Sequence, residues 1–347
     1  MVKNGYVVTF GEIMLRLNPP GYQRLKQAQQ FEAHFGGGEA NVAASLAQFG
    51  VPVKYVTRLP KNDLGEVCGS NLTGLGIDIQ HIVWGGDRIG IYFLENGVAQ
   101  RPSKVIYDRA GSSFSTIQPG QVNWQDVFEG ASWFHWTGIT PAVSQSAAET
   151  CQEAVEAAKK CGITVSCDLN YRTKLWKWTE SPRDVMDNLV KYCDLVIGNE
   201  EDTEKVFGIS APETNVALGN VDAEKYKFVC LALKEKFPSL NSVAITLRGS
   251  TSASNNTWSA VLWQVDKFYT GPVYQITPIV DRVGGGDSFA AGLIYSLMKE
   301  KQDPQKALDF AVAASCLKHS IPGDINLVSV QEVEQLANGD ASGRIHR

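Results

Sequence analysis

The sequence predicts an α/β fold, a central and mostly parallel sheet flanked by helices, with a small β-lid set into it. Two observations carry that prediction. Short apolar runs alternate with amphipathic, Ala-rich stretches along the chain, which is how a parallel sheet covered on both faces is written in sequence. Two regions, about 12–35 and 85–118, break the rhythm with strand and turn signals and no long helix between them. At 347 residues, with 44% apolar and 20% charged side chains, the chain is long enough for one large core. We expect a single domain over 1–347 with the lid strands inserted in it.

The strands are predicted where β-branched and aromatic residues cluster: Tyr6–Phe10, Val53–Thr57, Trp133–Trp136, Ile163–Asp168, Leu195–Ile197 and Val243–Leu247. Helices are predicted between them at Ala40–Phe49, Ser144–Lys160, Pro182–Tyr192, Glu200–Phe207 and Ala223–Lys236. In the irregular regions, Gly85-Gly86-Asp87 and Glu95-Asn96-Gly97 mark turns. In open α/β sheets ligands bind beyond the carboxyl ends of the strands, and a lid hinged there excludes water from the reaction.

A net charge of −5 offers no field for a nucleic acid or an anionic membrane. The seven cysteines form no Cys-x-x-Cys pair and the five histidines show no metal spacing, so the thiols are expected to be free and mostly packed. No long apolar run or cleavage-site pattern appears, and a cytoplasmic protein is the expectation.

Chemistry concentrates in Asp281-Arg282-Val283-Gly284-Gly285-Gly286-Asp287-Ser288, before an apolar helix running to about Lys299. Three glycines let the chain turn tightly and gather backbone N–H groups at a helix N-terminus, a cradle for phosphate. An acid in a first helical turn commonly just caps the helix. Beside an anion cradle it repels phosphate, unless its task is to take a proton from an attacking hydroxyl. A second run, Gly36-Gly37-Gly38, precedes Asn41 and another small-residue helix. Neither run has the spacing of a P-loop or a dinucleotide fingerprint.

The two runs together, one early and one late, resemble the ribokinase-like, phosphofructokinase-B type family of carbohydrate kinases over almost the whole chain. The resemblance implies ATP and Mg²⁺, a catalytic base at Asp287 and an anion hole at Gly284, Gly285 and Gly286. The family more often has alanine where Gly285 stands. Asn199-Glu200-Glu201-Asp202 looks like the family's Asn-x-x-Glu element, which supports Mg²⁺ through water; either Glu201 or Asp202 fits that role. Asn170, Asn199 and Thr246-Leu247-Arg248-Gly249 are assigned with Gly284 and Gly286 to ATP, and Ala311–Asn326 resembles the adenine-side helix and loop.

Substrate residues are expected at Gly36, Gly37, Gly38 and Asn41 and in the lid. Arg16, where relatives that bind neutral sugars often carry an aspartate, reads either as a different polar demand or as a surface arginine. The runs Gly90-Ile91-Tyr92-Phe93, Tyr107-Asp108-Arg109 and Asp168-Leu169-Asn170-Tyr171-Arg172 look like those of 2-keto-3-deoxygluconate kinases. That resemblance implies that Tyr92, Tyr107, Arg109 and Arg172 embrace a sugar acid, with Arg172 open to either substrate or nucleotide. Arginine suits a carboxylate because its planar fork binds two oxygens at once. The expected reaction is transfer of phosphate from ATP to the primary hydroxyl, giving the 6-phosphate. A fructokinase or 5-dehydro-2-deoxygluconate kinase is the alternative, and a non-catalytic sugar-binding regulator the alternative of another class. Exposed lid edges invite pairing between copies, so a homodimer or higher homo-oligomer through the lid is expected.

Overall fold

The computed structural model describes residues 5–199, 201–211, 225–299 and 303–340. Its strands are β1 (Tyr6–Phe10), β2 (Met14–Asn18), β3 (Glu32–Gly36), β4 (Val53–Val56), β5 (Arg58–Leu59), β6 (Val83–Trp84), β7 (Gly90–Glu95), β8 (Lys104–Asp108), β9 (Ala131–Thr137) and β10 (Thr164–Asp168). They continue with β11 (Leu195–Asn199), β12 (Ser242–Ser250), β13 (Asn256–Gln264), β14 (Lys267–Thr270) and β15 (Tyr274–Ile276).

The large sheet runs β14-β13-β12-β11-β10-β9-β1-β4, with β15 paired to β13. From β4 to β12 every pairing is parallel; β13 and β14 extend the sheet antiparallel. Alternation along the strands builds two apolar layers. On β1, Val7 enters one layer while Val8 and Phe10 enter the other. On β12, Ala244 faces the first, and Val243, Ile245 and Leu247 face the second. Helices Gly38–Gln48, Gly285–Leu297 and Pro304–Lys318 contribute to the first layer, and Gln145–Lys160 and Pro182–Val190 to the second. This is the ribokinase-like arrangement expected.

The predicted strands and helices lie close to their expected bounds. Two predicted helix starts, at Glu200 and Ala223, fall outside the described residues. Local chemistry explains the helix ends: the Ser144 hydroxyl accepts the Ala147 N–H, and Pro182 occupies a first-turn position that lacks an intrahelical acceptor. The late helix ends at Leu297, two residues before the expected Lys299. The antiparallel strand β13 is not among the strands expected, although Trp258, Ala260, Val261, Leu262 and Trp263 make it apolar on both faces. Nor is the polar helix Asp63–Gly74, which Asn62 caps by accepting the Gly65 N–H, among the helices expected.

The two irregular regions come together as a small separate sheet, β3-β2-β7-β8. β2 pairs antiparallel with β3 and parallel with β7, and β7 pairs antiparallel with β8. Tyr92, Leu94 and Met14 pack on one another and against Val283, next to the late glycine run. The outer strand β8 is exposed throughout.

Candidate active site

Strands β9, β10 and β11 end at Thr137, Asp168 and Asn199, and a cavity of about 390 Å³ opens beyond those carboxyl ends. Its walls come from both glycine runs, the ends of β10 to β12, and the small sheet through Met14, Tyr92, Val105 and Tyr107. The cavity therefore lies where parallel strands end and the smaller sheet covers them.

The late run forms a tight turn into the helix. Gly284 has φ +80, and a Cβ there would stand 1.9 Å from the Asp324 carbonyl oxygen. At Gly285 a Cβ would meet the His319 ring at 2.8 Å. At Gly286 it would meet nothing within 4 Å, because this residue faces the open cavity. First-turn amides have no acceptor inside the helix. The Gly285 N–H reaches back to the Arg282 carbonyl at 3.3 Å, so the exposed Gly286 is the glycine best placed to receive an anion.

Asp287 sits in this first turn, makes no capping bond, and lines the cavity. Asn41 Nδ2 donates to Asp287 Oδ2 at 2.7 Å, linking the two glycine runs. Burial pushes the Asp287 carboxyl up to about 6; the Asn41 bond pulls the other way, Asp324 raises it further, and Arg172 and Lys318 oppose. A carboxylate with that affinity for protons is suited to general-base work near neutral pH.

Gly36 and Gly37 of the early run are packed rather than open. A Cβ on Gly37 would stand 2.1 Å from the Glu12 carbonyl oxygen, and one on Gly36 would meet Asp324 Oδ1 at 2.4 Å. Behind it, the buried Glu39 Oε1 accepts Thr137 N–H at 2.9 Å, Thr137 Oγ1 at 2.9 Å and Thr140 Oγ1 at 2.6 Å. These bonds fix the helix that carries Asn41 to the end of β9. Burial nevertheless raises the Glu39 carboxyl to about 7.

The cavity carries charge of both signs. Asp168 and Asp202 line it with Asp287. Burial, then Asp202 and Asp287, hold the Asp168 carboxyl well above its ordinary value, and burial likewise raises Asp202. Asp202 Oδ1 accepts the Tyr171 N–H at 3.1 Å and Oδ2 the Asn199 N–H at 3.0 Å. Among the described residues no group of three or more His, Cys, Asp or Glu side chains forms a metal cage. The pair Asp168 and Asp202 nonetheless fits Mg²⁺ held mainly through water and phosphate, because that ion keeps several waters and a dication relieves two crowded carboxylates. Arg248 and Arg282 also line the cavity. Burial and then the Arg248 charge lower the Arg282 pKa from its ordinary value; two guanidiniums held together in this way are matched by polyphosphate.

A family model described as pfkB family carbohydrate kinase matches residues 4–330. The chain belongs to the pfkB family of carbohydrate kinases. This carbohydrate kinase is 32% identical over 341 residues to a 2-dehydro-3-deoxygalactonokinase of Haloferax volcanii, covering 97% of this chain and 98% of that one. It is 28% identical over 334 residues to a 2-dehydro-3-deoxygluconokinase of Thermoproteus tenax, covering 95% and 93%. The crystal structure of a 2-dehydro-3-deoxygluconokinase from Thermotoga maritima superposes with a TM-score of 0.90 at 46% identity, covering 96% of this chain and 100% of that one. An ATP-dependent sugar kinase is what these relationships establish.

Most residues expected at the kinase's site line the cavity: Gly36, Gly37, Gly38, Asn41, Tyr92, Tyr107, Asn170, Arg172, Asn199, Asp202, Thr246, Arg248, Gly284, Gly285, Gly286 and Asp287. Three do not. Arg109 is buried and turned to Glu12, with Nε donating to Oε2 at 2.9 Å, so its charge is already neutralised inside the protein. Glu201 is exposed and paired with Lys205, which leaves Asp202 as the one of the two acids that lines the cavity. Gly249 is buried, and its N–H donates to the Thr257 hydroxyl at 3.1 Å within the β12–β13 pair.

Arg16 is neither a surface residue nor at the cavity wall. It is 1% exposed, and its guanidinium donates to Asp281 Oδ2 at 2.6 Å and Asp324 Oδ2 at 2.8 Å. Tyr92 OH also donates to Asp324. Asp168, Arg282, Trp258 and Asp324 line the cavity without having been singled out for a role by sequence. The position of Asp168 at the carboxyl end of a predicted strand was a usable signal. Asp324 lies in a loop with no pattern of its own.

Proposed function

We propose that this kinase phosphorylates the primary hydroxyl of 2-keto-3-deoxygluconate (2-dehydro-3-deoxygluconate) or its C4 epimer, using ATP, to give the 6-phosphate. The observation that carries this reading is the single cavity holding Asp287, an open glycine turn and the exposed guanidinium of Arg172. The names of the full-length relatives support the same substrate class.

The sugar acid lies under the small sheet, which acts as a lid on the single domain. Its carboxylate faces Arg172, whose Nη1 is tethered to the Tyr171 carbonyl at 3.0 Å, and its body lies against Tyr92 and Tyr107. Arg109 supports this wall from behind, since its guanidinium stands 5.7 Å from the Tyr107 ring centre. The ATP phosphates lie toward Arg248 and Arg282. Asp287 accepts the hydroxyl proton as the substrate oxygen attacks the γ-phosphorus and the bond from that phosphorus to the β,γ-bridging oxygen breaks, releasing ADP, while the Gly286 side of the turn receives the transferring phosphoryl oxygens. Asp168 and Asp202 would hold Mg²⁺ through water, and the ion would supply charge neutralisation on the phosphates. The exposed β8 edge favours a homodimer through the lid, read out by sedimentation.

A coupled assay of ADP release across 2-keto-3-deoxygluconate, its C4 epimer, 5-dehydro-2-deoxygluconate and fructose tests the substrate. The first pair should give a kcat/KM at least ~10-fold above that for fructose, which lacks the carboxylate, the ratio that one charge-assisted contact supports, and should also be preferred over 5-dehydro-2-deoxygluconate. Preference for fructose contradicts the reading.

A further inference from the structure

Lys318, the last residue of the helix Pro304–Lys318, is 0% exposed. A cation at a helix C-terminus is favourable, but lysine ordinarily runs its stem along the surface and keeps the ammonium in water. Here the ammonium donates to the Ile321 carbonyl at 3.0 Å, and no carboxylate lies within ion-pairing distance of it among the described residues. Burial lowers the Lys318 pKa, and Asp281 and Asp324, the acids that most oppose this, are committed to Arg16. The Lys318 stem lies directly behind the late glycine turn, with Cε 3.4 Å from where a Cβ of Gly284 would be. A fully buried ammonium without a contact anion therefore stands behind the one turn that faces the cavity with exposed amides. Isolated buried charges are costly, and an anion arriving on that turn would offset the cost.

We infer that Lys318 is a positioning residue that places a positive charge behind the Gly284–Gly286 turn and favours the phosphoryl group in flight over the ground-state nucleotide. This rests on the proposed phosphoryl-transfer role of the turn. The charge acts through the backbone without touching substrate, so its effect belongs to kcat and to transition-state mimics rather than to ADP affinity.

The test uses the full-length enzyme and the variants Lys318→Gln, which can still donate to Ile321, and Lys318→Met, which cannot. Titration calorimetry follows MgADP alone and MgADP with aluminium fluoride and the sugar acid; ADP release gives kcat and KM. Both folded variants should bind MgADP within about 3-fold of wild type, lose ~10-fold or more of the fluoride-dependent tightening, and lose kcat by a similar factor with sugar KM little changed. Equal losses of ADP affinity and kcat in both variants, or wild-type kcat in Lys318→Gln, overturn the proposal. Absence of fluoride-dependent tightening in wild type overturns the anion role of the turn as well. Turnover of a different sugar by wild type counts against the substrate assignment alone, and the Lys318 comparison is then made on that sugar.

Discussion

Two regions meet at the cavity, and they use the same residue types for opposite purposes. At Gly36 and Gly37, glycine makes room for protein: added methyls would collide with Asp324 and with the Glu12 backbone. Around Gly286, glycine makes room for something else, because nothing of the protein lies within 4 Å of the missing Cβ. The arginines divide in the same way. Arg16 and Arg109 are buried against acids, whereas Arg172 is exposed at the cavity wall. A glycine or an arginine in a motif is thus informative only once its neighbours are known: the packed copies hold the two sheets together, and the open copies meet ligand.

Substitutions separate the two regions. The largest effect is expected for Arg109→Ala, which leaves the buried Glu12 without its cation and with the Ser112 hydroxyl as a remaining partner, and should cost about 3 kcal/mol in chemical denaturation; an unchanged midpoint would mean that the pair is ornamental. Gly284→Ala should follow at roughly 3 kcal/mol, combining a left-handed backbone with overlap on the Asp324 carbonyl. Arg172→Ala should leave stability near wild type and raise KM for a sugar acid by ~10-fold or more relative to a neutral analogue, from loss of a charge-assisted contact of about 1.5–3 kcal/mol. The sharpest contrast is Gly286→Ala. Inside the helix, alanine should stabilise by up to about 1 kcal/mol, yet crowding of the anion position should lower kcat by roughly 10-fold. Loss of stability with normal kcat would place Gly286 among the packed glycines.

The core strands were legible because β-branched runs such as Tyr6–Phe10 place alternate residues in two apolar layers. The small sheet was legible by its broken rhythm, and the catalytic turn by three glycines ahead of Asp287. Partner choice was not legible. Nothing local to Arg109 announces Glu12, which lies 97 residues away, and nothing local to Arg16 announces Asp281 and Asp324. Glu201 and Asp202 are adjacent acids in sequence, and only the helix beginning at Asp202 turns one inward and the other to solvent. Where function depends on which of two equivalent charges is neutralised by a distant segment, sequence supplies the candidates and the fold selects among them.

The most direct test is the pH–rate profile of wild type beside Asp287→Asn. With its carboxyl raised to about 6, Asp287 must lose its proton to act, so wild-type kcat/KM should fall toward ~10-fold per pH unit below that value and level off above it. Asp287→Asn should bind MgATP normally, lose kcat by ~10²-fold or more, and lose that acid limb. A folded Asp287→Asn enzyme with near-wild-type kcat and an unchanged acid limb would contradict a carboxylate base at the open glycine turn.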